Sequence, residues 1–319
     1  MRKITDSQLE LIDAVIAESA TGGLTAAIIE KDIHVTEALH ALFALKHEHV
    51  DFVFCGGTSL SKAHGIIERM SEDVDLKVVL ADGHGMSRSA TKTCLSKLKN
   101  AVIEIMSGLG FEQDPAGHTA QNENRYVATT WLYSSGYETD ASLRPHLSLE
   151  CTVRSPKFTP VSIPIGYLVD KLAARPGETV TISCIAVEET LAEKVLSFLR
   201  RFAQNRSGNM KQDWDTALVR HIYDTYCIVR ADPGAVEKAK CHFPDLVAFD
   251  ANEFKHDVAF VKNPKDCLSK ALETAETDAQ TIKEYQTRLI PLIYGDIKPG
   301  FTEAFAVFKS SSQALIATL

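Results

Sequence analysis

Apolar residues recur along the chain with two different periods, and the change of period divides it. Over residues 32–47, Val35, Leu39, Leu42, Phe43 and Leu45 fall at helical spacing, which predicts a helix. Residues 50–55, VDFVFC, are a short run rich in Val and Phe that stops at Gly56 and Gly57, the mark of a buried strand ending in a turn. Residues 59–68 predict a short helix with Thr58 as its N-cap. Over 73–80, Val74, Leu76, Val78 and Leu80 alternate with Asp73, Asp75 and Lys77, the period-2 pattern of a strand with one buried face. A helix over 90–107 and strands over 125–133, 146–153 and 180–186 complete an α/β half. From residue 187 the pattern is helical almost to the end, with helices expected over 187–202, 214–230, 234–242, 264–290 and 302–319 and a polar loop, NRSGNMKQ, from Asn205. The expected architecture is an α/β (α+β) core with a mixed sheet, followed by a mostly α-helical C-terminal domain. The boundary falls between residues 165 and 185 and is drawn at 175/176, giving 1–175, with N-terminal helices, and 176–319.

Composition then narrows the partners. A formal net charge of −8 excludes a surface coated in positive charge, so any nucleic acid has to meet a local patch. The opening residues, MRKITDSQLELIDAV, are interrupted by Asp6, Ser7, Gln8 and Glu10 and lack the apolar core of a signal peptide. No run approaches the ~20 apolar residues that span a bilayer. The seven cysteines are scattered singly, without zinc-ligand spacing, as expected of free thiols in a reducing cytoplasm. The expectation is a cytoplasmic protein with no membrane partner.

The stretch FCGGTSLSKAHGIIERMSEDVDLKV, residues 54–78, carries the candidate chemistry. Two glycines after a strand and before a helix let the backbone approach a ligand, and the helix start offers unpaired amides to a phosphate; a plain strand-to-helix turn uses the same residues. It is not a P-loop, because Gly-x-x-x-x-Gly-Lys-Ser/Thr is absent. Asp73 and Asp75 flank Val74, so both carboxylates leave one strand face about 7 Å apart, a spacing that suits one or two hard divalent cations. A solvated sheet edge is the structural alternative. In HLSLECTV, Glu150 offers a third carboxylate from an alternating strand.

GGTSLSK followed by ERMSEDVDL resembles the signature of the AbiEii/AbiGii family of nucleotidyltransferase toxins, Gly-Gly-Thr-x-Leu-x-Lys and then Arg-x-Ser-Glu-Asp-x-Asp. IEKDIHVTEAL resembles the family's Glu-Lys-Asp leader helix, EETLAEKVLSFLRR its Glu-Lys helix and RHIYDTY its Arg-Asp-x-Tyr-Asp element, and EYQTRLIPLIYG is similar to a common closing segment. The resemblance covers most of the chain, although residues 85–145 carry no motif. It implies a nucleotidyltransferase core of the DNA polymerase β type with a helical C-terminal domain. Asp73 and Asp75, with Glu150, are then the residues for Mg²⁺, with two ions allowed. Gly56, Gly57, Thr58 and Ser59 line the triphosphate, Lys62 and Arg69 serve phosphate or fix the loop, and Ser71 braces the strand. Lys194 meets the nucleotide phosphates and Asp224 acts from the following helix; a solvated helix lysine is the alternative for Lys194. The chain departs from the family at His221, where an aspartate is common, and in a longer stretch around NRSGNMKQDWD, where Asp213 and Asp215 are read as loop acids.

What the resemblance implies is the toxin of a bacterial toxin–antitoxin or phage-defence (abortive infection) system. Such an enzyme moves a nucleoside monophosphate from a nucleoside triphosphate (NTP) to an RNA end, including a tRNA 3′ end, or to a protein hydroxyl, and has a cognate antitoxin. Lys194, Arg200, Arg201, Arg206 and Lys211 are the candidate patch for a nucleic-acid acceptor, with a solvated helix end as the alternative. A non-catalytic binding module that kept the fold and a metal-dependent nuclease are the rival functions.

Overall fold

Alternation of apolar and acidic residues along one strand organises the first of two units in the computed structural model, which describes the chain except residues 19–20, 72, 82–84, 139–142 and 209–213. The first unit comprises Met1–Gly65 and Met70–Ile185, the second Ile66–Arg69 and Ala186–Leu319. In the first, α1 (Asp6–Ala17), α2 (Ala26–Ala44), β1 (Val50–Cys55), α3 (Gly56–Thr58), β2 (Asp73–Leu80), α4 (Arg88–Gly108), β3 (Glu112–Gln121), β4 (Tyr126–Leu132), β5 (His146–Val153), β6 (Val161–Gly166), α5 (Leu168–Leu172) and β7 (Thr179–Cys184) follow in order. Among the described residues the sheet has seven strands in the order β3-β4-β5-β2-β1-β7-β6. Central β2 runs antiparallel to β1 and parallel to β5, in a register that sets Asp75 opposite Cys55 on one side and Glu150 on the other.

One face of this sheet is the core. Val74, Leu76 and Val78 of β2 and Leu147, Leu149 and Cys151 of β5 pack with Leu39 and Leu42 of α2 and with Leu95, Leu98 and Val102 of α4. Each such side chain contributes about 1.5–3 kcal/mol by leaving water. Because strand side chains alternate, that burial turns Asp73, Asp75 and Glu150 to the other face.

The second unit is helical: α6 (Val187–Arg206), α7 (Arg220–Ala231), α8 (Ala235–Lys240), α9 (Phe243–Glu253), α10 (Val258–Lys262), α11 (Pro264–Ala275), α12 (Ala279–Glu284) and α13 (Phe301–Ile316). Glu188 and Glu189 sit in the first turn of α6, where carboxylates favour the helix dipole. Phe198 of α6 stacks on Phe202 and meets Phe308 of α13 edge-on, with ring centroids 5.2 Å apart. The short segment Ile66–Arg69 belongs to this unit, and the Glu68 carbonyl accepts from the N–H groups of Tyr294 and Gly295. Among the described residues no helix is long and apolar enough to cross a membrane.

The structure departs from the sequence expectations in several places. The helix expected over 59–68 begins at Gly56, passes into a wider π-helical turn over Ser59–Ala63 and stops before Gly65, whose φ of 64° no helix continues. Thr58 is therefore inside the turn rather than capping it. The helix expected over 264–290 breaks after Ala275, because Asp278 caps α12 by accepting from the Thr281 N–H at 2.9 Å. Strand β3, EQDPAGHTAQ, was not foreseen: it has no apolar alternation, and its pairing shifts across the Pro115–Gly117 region between Asp114 and Thr119. Strand β6 carries Pro164, which an edge strand tolerates. The units divide at Ile185/Ala186, since β7 is hydrogen-bonded to β6 and β1.

Helix α3 and its π turn are tied to α2 by a half-buried ion pair. The Lys62 ammonium donates to Asp32 at 2.6 Å and to the Gly166 carbonyl at 3.1 Å, while the second Asp32 oxygen accepts from the Leu168 N–H at 2.8 Å. Asp32→Ala strands the Lys62 charge and is expected to lower the unfolding free energy by about 3 kcal/mol. Urea titration measures it, and a loss below about 1 kcal/mol, as for a surface pair, contradicts this assignment.

Candidate active site

The glycine turn and the aspartate pair meet at one atom-scale contact. Gly56 has φ 76°, a left-handed conformation open to glycine, and a Cβ at that position would collide with the Asp75 carboxylate. The absence of a side chain therefore lets Asp75 lie against the start of α3. Gly57 is half-buried in the same turn. Thr58 is buried and its hydroxyl shares a hydrogen bond with the Ser71 hydroxyl at 3.0 Å, so Ser71 braces the turn. Ser59 is fully buried beside Cys184. Gly56 and Gly57 are half-buried, whereas Thr58 and Ser59 are buried. Lys62 belongs to the half-buried pair with Asp32, which makes it a fastening of the turn.

On the outward face of the sheet, each described carboxylate has a protein neighbour. Arg144 donates to Asp73 at 2.9 Å, and the Tyr126 hydroxyl donates to Glu150 at 3.0 Å. Burial, followed by the charges of Glu150 and Asp75, pushes the Cys151 thiol up to about 12. Among the described residues no three His, Cys, Asp or Glu side chains converge closely enough to hold a metal ion. Asp73 and Asp75 share the face, and Glu150 stands across from Asp75 on the next strand. Arg144 and Tyr126 were not foreseen. Arg144 lies just ahead of β5, and its approach to Asp73 depends on the β2–β5 pairing, which no local pattern announces.

Lys194, Asp224 and Arg69 come together in the second unit. The Arg69 guanidinium forks onto both Asp224 oxygens at 2.7 Å, and Lys194 donates to one of them at 2.6 Å. All three are buried. Burial alone raises the Asp224 pKa, but Arg69 and Lys194 outweigh it and hold the carboxyl well below the usual carboxylate range. His221 is held neutral first by burial and then by the Lys194 charge, and its Nδ1 has no hydrogen-bond partner among the described residues. The carboxylate of this element is thus Asp224.

The basic patch expected on α6 is largely spent on acids. Arg200 pairs with Asp250 beneath the Phe254 ring, Arg201 pairs with Asp215 at 3.3 Å, Arg206 pairs with Asp278, and Lys194 belongs to the triad. Asp215 also caps the turn Thr216–Val219 by accepting from the Ala217 N–H. Lys211 and Asp213 lie outside the described residues.

Two outcomes follow from these contacts. Gly56→Ala forces an L side chain into a left-handed φ and against Asp75, and is expected to cost about 1–2 kcal/mol in a urea titration; wild-type stability would contradict the close approach. Asp224→Asn leaves two buried cations without their anion and is expected to cost about 3 kcal/mol at neutral pH. Because the folded pKa of Asp224 lies below its unfolded value, its contribution is fully present above about pH 4 and fades as pH falls further. The stability gap between wild type and Asp224→Asn is therefore flat from pH 7 to about pH 4 and narrows below. A gap that widens on acidification contradicts the triad.

The profile described as nucleotidyl transferase AbiEii toxin, type IV TA system, matches residues 37–307. No curated protein matches the chain. Among solved structures, MenT4, a nucleotidyltransferase toxin from Mycobacterium tuberculosis H37Rv, is similar at 18% identity, covering 73% of this chain and 72% of that one with a TM-score of 0.40. The matched span takes in the glycine turn, the aspartate pair on β2, Lys194 and Asp224, and over it the chain belongs to the AbiEii family of nucleotidyltransferase toxins of type IV toxin–antitoxin systems.

Proposed function

We propose that the chain transfers a nucleoside monophosphate from an NTP to the end of an RNA, using Mg²⁺ held by Asp73 and Asp75. The observation that supports this reading is the close approach of Asp75 to the side-chain-free Gly56, which brings the proposed metal ligand beside the glycine turn proposed for the phosphates. The donor set fits the ion: carboxylate oxygens suit a hard cation, and Asp73 already accepts a positive partner in Arg144. Glu150 stands across the strand pair from Asp75 but does not converge with the two aspartates on one point, so the metal-binding proposal rests on Asp73 and Asp75. When bound, Mg²⁺ supplies charge neutralisation for the triphosphate and the departing pyrophosphate and lowers the pKa of the attacking hydroxyl.

The chain's own residues supply position. Gly56 and Gly57 bring the backbone up to the triphosphate, Ser71 and Lys62 keep that turn in place, and the core behind β2 fixes where the carboxylates emerge. The acceptor hydroxyl oxygen bonds to the α-phosphorus as the bond to pyrophosphate breaks. In the second unit, the triad of Arg69, Asp224 and Lys194 carries one more positive than negative charge. Lys194, which donates to Asp224 at 2.6 Å, is the proposed contact for an anionic group of the substrate.

A cognate antitoxin follows from the family, and cytoplasmic action from the triphosphate substrate.

Incubation with each α-labelled NTP and total RNA tests the reading. Label is expected in RNA, and Asp73→Asn or Asp75→Asn is expected to lower transfer on the order of 100- to 1000-fold in a folded protein. Label on protein makes the acceptor a protein hydroxyl; RNA cleavage without label incorporation makes the chain a nuclease; no turnover makes it a binding module. Wild-type transfer by a folded Asp73→Asn protein contradicts the assignment of the metal site.

A further inference from the structure

The leader motif Glu30-Lys31-Asp32 takes no part in the chemistry above, yet its three side chains tie two other segments of the first unit to α2. Asp32 holds Lys62. Glu30 and Lys31, each 1% exposed, both reach the segment that joins β4 to β5. Glu30 accepts from the Ser135 hydroxyl and from the Gly136 N–H, and the Lys31 ammonium donates to the Arg144 carbonyl at 2.7 Å. An ionised side chain is costly to bury, and it is kept where the geometry it fixes matters. What Lys31 fixes is the main chain of Arg144, whose guanidinium then donates to Asp73.

We propose that Arg144 is a further residue of the nucleotide site, a cation that holds Asp73 until a divalent ion displaces it, with Lys31 as the residue that positions it. The inference rests on Asp73 being a metal ligand. A guanidinium and a divalent ion compete for the same carboxylate, so Arg144 weakens metal binding in the nucleotide-free protein while keeping Asp73 from facing Asp75 without a counter-charge. Both members of the pair are partly exposed, 44% for the Arg144 side chain and 32% for Asp73, so exchange requires no rearrangement of the core.

Titration of Mn²⁺ into the nucleotide-free full chain, followed by the electron paramagnetic resonance of the free ion, tests this. Arg144→Gln is expected to tighten Mn²⁺ binding by about two- to fivefold, the range of an exposed pair. Arg144→Lys keeps the charge and is expected to return toward the wild-type affinity. Lys31→Met, where it folds, is expected to shift affinity in the direction of Arg144→Gln; unchanged Mn²⁺ binding there removes the positioning role. Unchanged or weaker Mn²⁺ binding by Arg144→Gln overturns the proposal. Asp73→Asn separates the two levels. If it leaves Mn²⁺ binding intact, the metal assignment falls and this inference with it; if it weakens binding while Arg144→Gln does not tighten it, this inference alone falls.

Discussion

Asp75 rests against the start of α3 under two conditions: the chain presents no Cβ there, and β2 is held in fixed register. Gly56, at φ 76°, provides the first condition, and the antiparallel pairing of β1 with β2, which sets Cys55 opposite Asp75, provides the second. A slip of one residue would turn Asp73 and Asp75 into the apolar layer and Val74 and Leu76 out of it. Burial of Val74, Leu76 and Val78 against α2 and α4 therefore decides where the acids stand. The chemistry of the outer face is set by the packing of the inner one.

Charged side chains held in buried or half-buried contacts do the remaining positioning in both units. Asp32 with Lys62 ties α3 to α2, and Glu30 and Lys31 hold the segment before β5. In the second unit Arg69, Lys194 and Asp224 draw the segment Ile66–Arg69 onto α6 and α7. Such pairs contribute little net stability compared with apolar side chains of the same volume, but they break at high cost and tolerate little displacement. Charged residues on α2, a helix otherwise deep in the core, make sense on those terms.

Much of this was legible in the sequence where one signal was local and strong. The β1 run, the alternation of β2 and the helical period of α6 needed only their own residues, and the signature GGTSLSK with ERMSEDVDL named the family. Strand β3 was not legible, because a polar edge strand containing Pro115 and Gly117 has neither periodicity nor propensity and is held by β4 alone. Arg144 and Tyr126 escaped for a different reason: their partners, Asp73 and Glu150, are 71 and 24 residues away in sequence. The patch on α6 looked basic because helical spacing shows which residues share a face but not that Asp215, Asp250 and Asp278 come to meet them.

The most direct measurement is the anomalous scattering of Mn²⁺ in crystals of the protein grown with a non-hydrolysable NTP. The account predicts a manganese peak bridging the carboxylates of Asp73 and Asp75, with the triphosphate against the backbone of Gly56 and Gly57. A nucleotide bound elsewhere, or manganese on ligands that exclude both aspartates, would contradict it.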